Sequence, residues 1–138
     1  VVDKPKLDQM LSNLRRFLAV LRDLAALSPE AFLADPDKVG NAKYHLVIAI
    51  ECCIDVANHI IASENYRFPR DNADSFAVLV EQAVLPAESR DPLRAMARFR
   101  NRLVHLYWDV DEAKVHEYLR DGLSDIERFG NAIARNEW

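Results

Sequence analysis

The chain has 138 residues, half of them hydrophobic, and carries 18 Lys and Arg against 22 Asp and Glu for a formal net charge of −4. That is enough apolar material for one sizeable core, so residues 1–138 are expected to form a single domain, and only three Gly and six Pro disfavour a turn-rich sheet protein and point to an all-α fold. No apolar run approaches the roughly 18 to 20 residues of a membrane span, and the start "VVDKPKLDQM" lacks a signal-peptide pattern, so a cytoplasmic, membrane-free protein is expected.

The first periodic segment, about Pro5 to Leu27, places Leu7, Met10, Leu11, Leu14, Phe17, Leu18, Leu21, Leu24 and Leu27 at spacings of three and four and predicts an amphipathic helix. The pairs Ser28-Pro29 and Asp35-Pro36 each offer an N-cap followed by proline in the first turn, which predicts a short helix and then a long one, about Pro36 to Ser63. That long helix is apolar on most sides, as a central helix would be. It holds Cys52 and Cys53, whose side chains diverge by about 100° on a helix, so a disulfide between them is not expected. "ENYRFPRDNAD" predicts a polar loop. "SFAVLVEQAVL" predicts a helix of three turns rather than a strand, because no second strand exists to pair with it. A further helix should run from near Pro86 or Pro92 to Leu106, with "WDVD" as a joint to a last helix from about Asp111 carrying Val115, Leu119, Leu123, Ile126, Phe129 and Ile133. The sum is a bundle of four to five helices without repeats or linkers.

The charge is unevenly distributed. Arg90, Arg94, Arg98, Arg100 and Arg102 face one acid, Asp91, while acids gather after Trp108. Arg90, Arg94, Arg98 and Arg102 recur every four residues, a slowly drifting helical stripe that suits either a phosphate backbone or a solvated face. Within the same helix, "FRNRLVHLYWDVD" puts Arg100, Asn101, His105 and Tyr107 into an otherwise apolar context. Arg100 and His105 are five apart, about 140° around a helix, so their joint use requires a long reach, a distorted helix end or a second copy of the chain. Asn101 and His105 share a face. Arg100 and Tyr107 nearly coincide if the helix continues that far.

The pattern of Arg100, four residues, His105, one residue and Tyr107 resembles the R-x4-H-x-Y signature of the HepT-like ribonuclease toxins, a branch of the HEPN superfamily. "IECCIDVANHIIA" resembles the family's second-helix segment, "SFAVLVEQAVLP" its third and "LRDGLSDIERFGNAI" its last, so the similarity runs through nearly the whole chain in order. The resemblance implies a single HEPN-like helical domain that pairs as a homodimer, with the Arg and His motifs of both copies facing a shared cleft. It implies a metal-independent endoribonuclease acting on RNA without a cofactor, the toxin of a two-component toxin–antitoxin system. Its partner would be an MNT-type nucleotidyltransferase antitoxin, MntA-like, that transfers adenylyl groups from ATP to Tyr107.

Residue chemistry suits that role. Metal-free RNA cleavage needs a group to take the 2′-OH proton, a cation on the phosphorane and a donor for the leaving oxygen. Histidine titrates in the right range and an arginine fork fits phosphate, which makes His105 the general acid/base, Arg100 the phosphate clamp and Asn101 the residue orienting His105 or the substrate. Arg94, Arg98 and Arg102 are candidate RNA-backbone contacts. An adenylyl group on Tyr107 is expected to draw Arg100 into an internal ion pair and to obstruct the cleft.

Two other readings compete. Glu51, Asp55 and His59 recur every four residues on the long helix, with His45 and Asn58 nearby, and such a stripe could hold a divalent ion. The paired Glu-x-x-His arrangement of bundle metal sites is absent, however, so no metal is assigned, and Asp55 and His59 are read as a buried polar pair or as cleft lining. The other alternative is a non-catalytic helical subunit that grips the nucleotidyltransferase and binds RNA or nucleotide.

Overall fold

Helix starts follow the capping chemistry of the sequence. Asp3, Ser28, Asp35, Asp71 and Asp111 each accept a hydrogen bond from a backbone N–H of the following turn, and proline stands in the first turn after the first three of these caps, where its missing N–H costs nothing. In the computed structural model, which describes all 138 residues, these starts open α1 (Lys4–Ala25), α2 (Pro29–Leu33), α3 (Pro36–Ser63), α4 (Asn72–Glu81) and α6 (Glu112–Asp121). The set is completed by α5 (Arg90–His105), entered through a 3-10 turn at Ala87–Ser89, and α7 (Leu123–Arg135). The fold is all-helical, and with α2 counted as a single turn and α6–α7 as one bent helix it is the expected bundle.

α3 is the axis of the molecule and packs against all six other helices. It is also long and apolar enough, by length and composition, to cross a membrane, contrary to the expectation that no segment comes close. Its position accounts for its composition: ringed by helices, it buries Val39, Ala42, Leu46, Ala49, Ile50, Cys53, Val56, Ala57 and Ile60, while Lys43, Glu51, Asp55 and His59 punctuate it. α1 lays Leu7, Leu11, Leu14, Leu18, Leu21 and Leu24 into the core, the stripe its spacing predicts.

Two details depart from the sequence expectations. The apolar run after Ser75 is helical only to Glu81; Val84 and Leu85 are buried beyond the helix, their N–H groups both donating to the Leu79 carbonyl, and this turn places Ala83 in the left-handed region at φ 58°. The last helix, expected to be continuous from Asp111, is bent at Gly122. There the Tyr118 ring stacks on Phe99, with centroids 4.5 Å apart and planes 5° from parallel, and a Cβ on Gly122 would stand 2.7 Å from that ring. Close approach of a stacked aromatic, rather than backbone freedom, requires glycine there.

Candidate nucleic-acid site on α5

α5 buries Leu93, Met96, Ala97, Phe99 and Leu103 on one face and remains helical to His105, where Leu106 N–H donates to the Arg102 carbonyl at 2.9 Å. A regular helix holds Arg100 and His105 on different faces. Arg100 turns inward to α3: its Nη2 donates to Glu51 Oε1 at 2.8 Å and its Nη1 to Asn101 Oδ1 at 3.1 Å, while its buried Nε has no partner. A carboxylate thus holds the arm that would grip a phosphate. Asn101 orients Arg100, not His105, as its place on the helix had suggested. His105 is exposed and makes no side-chain hydrogen bond, so it is not a satisfied core histidine.

Tyr107 does not continue the helix. A turn closed by Asp109 N–H on the Leu106 carbonyl at 2.8 Å carries it to the N-terminal half of α3. There Lys43 lies 4.7 Å from the centre of its ring, donates to its backbone carbonyl at 3.2 Å and reaches Glu112 Oε2 at 3.4 Å. The hydroxyl comes within 3.9 Å of where a Cβ on Gly40 would sit. Glu51, the anchor of Arg100, is eleven residues further along α3, a rise of about 16 Å. The expected ion pair between Arg100 and an adenylyl phosphate on Tyr107 is therefore not available within one copy in this conformation, because the helix ends before Tyr107 can return to the Arg100 face. Lys43 went unnoticed in the sequence. Its signal was a charge at a core position of "VGNAKYHLV", in register with Val39, Leu46 and Ile50.

The α3 stripe behaves as separate groups. Glu51 belongs to Arg100. The Asp55 carboxyl is shifted upward by burial and then by the neighbouring Glu51 charge, and His59 has a buried Nε2 without a partner. Asp55 and His59 do not hydrogen-bond to each other, and no three His, Cys, Asp or Glu side chains converge as a metal set. Cys52 and Cys53 are free thiols; burial, then Asp55, pushes Cys52 up to about 11.

The arginine row splits. Arg94 and Arg98 line a cavity of about 500 Å³ together with Arg70, Arg90, Asn101 and the first turn of α4. Arg102 lies elsewhere, 5.5 Å from the Phe99 ring centre, in a depression shared with Glu117, Tyr118, Asp121 and Asp125. Four-residue steps drift by about 40° each, so three steps are enough to carry the last arginine off the face. Past the row, Val104, Leu106 and Trp108 are exposed, Trp108 by 80%, and Tyr44 on α3 is exposed by 60%.

Comparison with known proteins agrees with this architecture. The family described as "Ribonuclease HepT-like" matches residues 7–133, and the chain belongs to it. An mRNA nuclease HepT of Shewanella oneidensis is 32% identical over 83 residues, which cover 60% of this chain and 62% of that protein; the match therefore spans about three fifths of the relative's length. A tri-AMPylated Shewanella oneidensis HEPN toxin, solved in complex with an MNT antitoxin, superposes with a TM-score of 0.86 at 24% identity, covering 94% of this chain and 97% of that one. The cytosolic protein YutE of Bacillus subtilis, of unknown function, gives 0.84 at 20% identity over 96% and 89% of the two chains. These two likenesses establish the fold.

Proposed function

We propose that the chain is a metal-independent endoribonuclease that acts on single-stranded RNA as a cytoplasmic homodimer, and that it is the toxin partner of an MNT-type nucleotidyltransferase antitoxin. The observation that carries this reading is the state of the motif: Arg100 is held by Glu51 and Asn101 on one face of a regular helix, while His105 is exposed on another. Neither a long reach nor a distorted helix joins them, which favours a site completed by a second copy. The exposed Val104, Leu106 and Trp108 beside His105 supply an apolar surface for that pairing. The relative named as an mRNA nuclease and the toxin solved with its antitoxin support the activity and the partner.

In this mechanism one His105 takes the 2′-OH proton, the 2′-oxygen attacks the adjacent phosphorus and the 5′-oxygen leaves with a proton from the other copy's His105. The products are a 2′,3′-cyclic phosphate and a 5′-hydroxyl. Arg100 exchanges Glu51 for a phosphate oxygen and stabilises the charge of the phosphorane. Asn101 keeps the guanidinium oriented during the exchange. Regulation acts through Tyr107, which is 45% exposed. Its phenol oxygen attacks the α-phosphate of ATP on the transferase, releasing pyrophosphate. The added nucleotide emerges on the Lys43 side of α3 and blocks the inter-copy cleft by its bulk, without an ion pair to Arg100 of its own chain.

The test is incubation of unmodified protein with single-stranded RNA in EDTA. Cleavage that ends in cyclic phosphate and disappears in His105→Ala is expected, and a need for added metal overturns the mechanism. Sedimentation should give twice the 15.8 kDa chain mass; a monomer at micromolar concentration overturns the shared cleft. With transferase, ATP and Mg²⁺, Tyr107→Phe should keep cutting and escape inactivation. The alternative, a non-catalytic binding subunit, predicts RNA binding without cleavage.

A further inference from the structure

The groove between α4 and α5 is electrically unbalanced. Its carboxylates are already engaged: Asp71 caps the Asp74 N–H at 2.7 Å, and Asp74 accepts from Arg67 at 2.7 and 2.9 Å and from the Arg70 N–H at 2.8 Å. Arg67 also grips Glu81 at 2.8 Å. The arginines of the α5 wall are not engaged: Arg90, Arg94 and Arg98 make no ion pair, whereas Arg70 on the opposite wall stands 3.7 Å from Asp74, a carboxylate already held by Arg67. The α5 arginines are spaced by one helical turn, a rise of about 6 Å per step, comparable to the distance between neighbouring phosphates in an extended strand. The groove ends at Asn101, whose side chain touches Arg100.

We infer that this groove is a phosphate track, in which Arg90, Arg94 and Arg98 on one wall and Arg70 on the other hold the backbone of single-stranded RNA flanking the cleavage point. The inference rests on the nuclease reading and adds to it the path of the strand, Arg70, which the sequence pattern did not single out, and the separation of Arg102 from the RNA. The groove contains no aromatic ring, only Ala73 and Ala77 besides its polar groups, so it offers no aromatic platform on which bases stack. The track therefore takes phosphates irrespective of base, and any sequence preference of the enzyme arises at the Arg100–His105 cleft.

Binding of a fluorescein-labelled, twelve-nucleotide 2′-O-methyl oligouridylate, which cannot be cleaved, tests the track separately from catalysis. Arg90→Gln/Arg94→Gln should raise Kd at least tenfold and reduce the slope of log Kd against log salt by ~0.7 for each arginine removed. Arg70→Gln should act in the same direction. Arg16→Gln, on the exposed side of α1, should leave both quantities unchanged, and oligoadenylate should bind as oligouridylate does. An unchanged Kd in the double variant, or an equal loss in Arg16→Gln, overturns the track. Normal oligonucleotide binding with loss of nucleotidyltransferase binding also overturns it and makes the groove a protein-docking surface. If the arginine dependence holds but the wild-type protein leaves RNA intact, the nuclease reading fails and the phosphate track stands.

Discussion

The body of α5 and the segment at its C-terminal end differ in what folding asks of them. From Leu93 to Leu103 the large apolar residues, Leu93, Met96, Phe99 and Leu103, face the core and are buried. From Val104 to Trp108 apolar residues continue, yet Val104, Leu106, Tyr107 and Trp108 all stand in solvent. A residue whose burial is already explained by its own fold says little about function; an exposed apolar cluster next to an unpaired histidine is not explained by the packing of its own chain. The same contrast separates the charges, since Arg67 is locked between two carboxylates while Arg90, Arg94 and Arg98 are unpaired.

The sharpest break of this comparison is a pair of substitutions two residues apart. His105→Ala should reduce RNA cleavage by about 10²–10⁴-fold with no change in melting temperature, whereas Leu103→Ala, at a position with no remaining exposure, should cost about 2–5 kcal/mol of stability by denaturant unfolding. If His105→Ala also destabilises the monomer, the end of α5 is structural and the contrast is lost.

A smaller loss is expected at the bend of the last helix. Gly122→Ala forces a Cβ into the Tyr118 ring, which is itself braced against Phe99, and should destabilise the protein by about 1–3 kcal/mol; a neutral result would mean that the stacked pair can move aside. The opposite sign is expected in the turn after α4. Ala83 adopts a left-handed backbone that disfavours a Cβ by about 1–2 kcal/mol, so Ala83→Gly should raise the unfolding midpoint slightly.

Acid should reach the locked charges before the core. Arg67 first, then the Arg70 N–H, hold the Asp74 carboxyl well below the usual carboxylate range. A group with a depressed folded pKa contributes its stability above its unfolded pKa, about 3.9, and loses that contribution as pH falls from there toward the folded value. The melting temperature of the wild-type protein should therefore fall below about pH 4, and Asp74→Asn should show a shallower fall over the same window. Parallel curves would show that the Arg67 cluster is not linked to folding.

The starts of α1, α2, α3 and α6, the core stripe of α1 and the central place of α3 were all legible in the sequence, because capping and hydrophobic period are local properties that neighbouring residues specify among themselves. The spacing of Arg100, Asn101, His105 and Tyr107, and its resemblance to a family signature, were visible there too. Their relations were not. That Arg100 meets Glu51, that Tyr107 leaves the helix for Lys43 and Gly40, and that Arg102 parts from Arg94 and Arg98 each depend on where α5 ends and which face α3 and α6 turn toward it. The bend at Gly122 likewise needs the Phe99 ring, more than twenty residues away in the chain. Local chemistry determined which elements form and which residues carry reactive groups; packing between distant elements decided which of those groups meet, since a contact across the core depends on the rotation and offset of two helices that neither helix specifies alone.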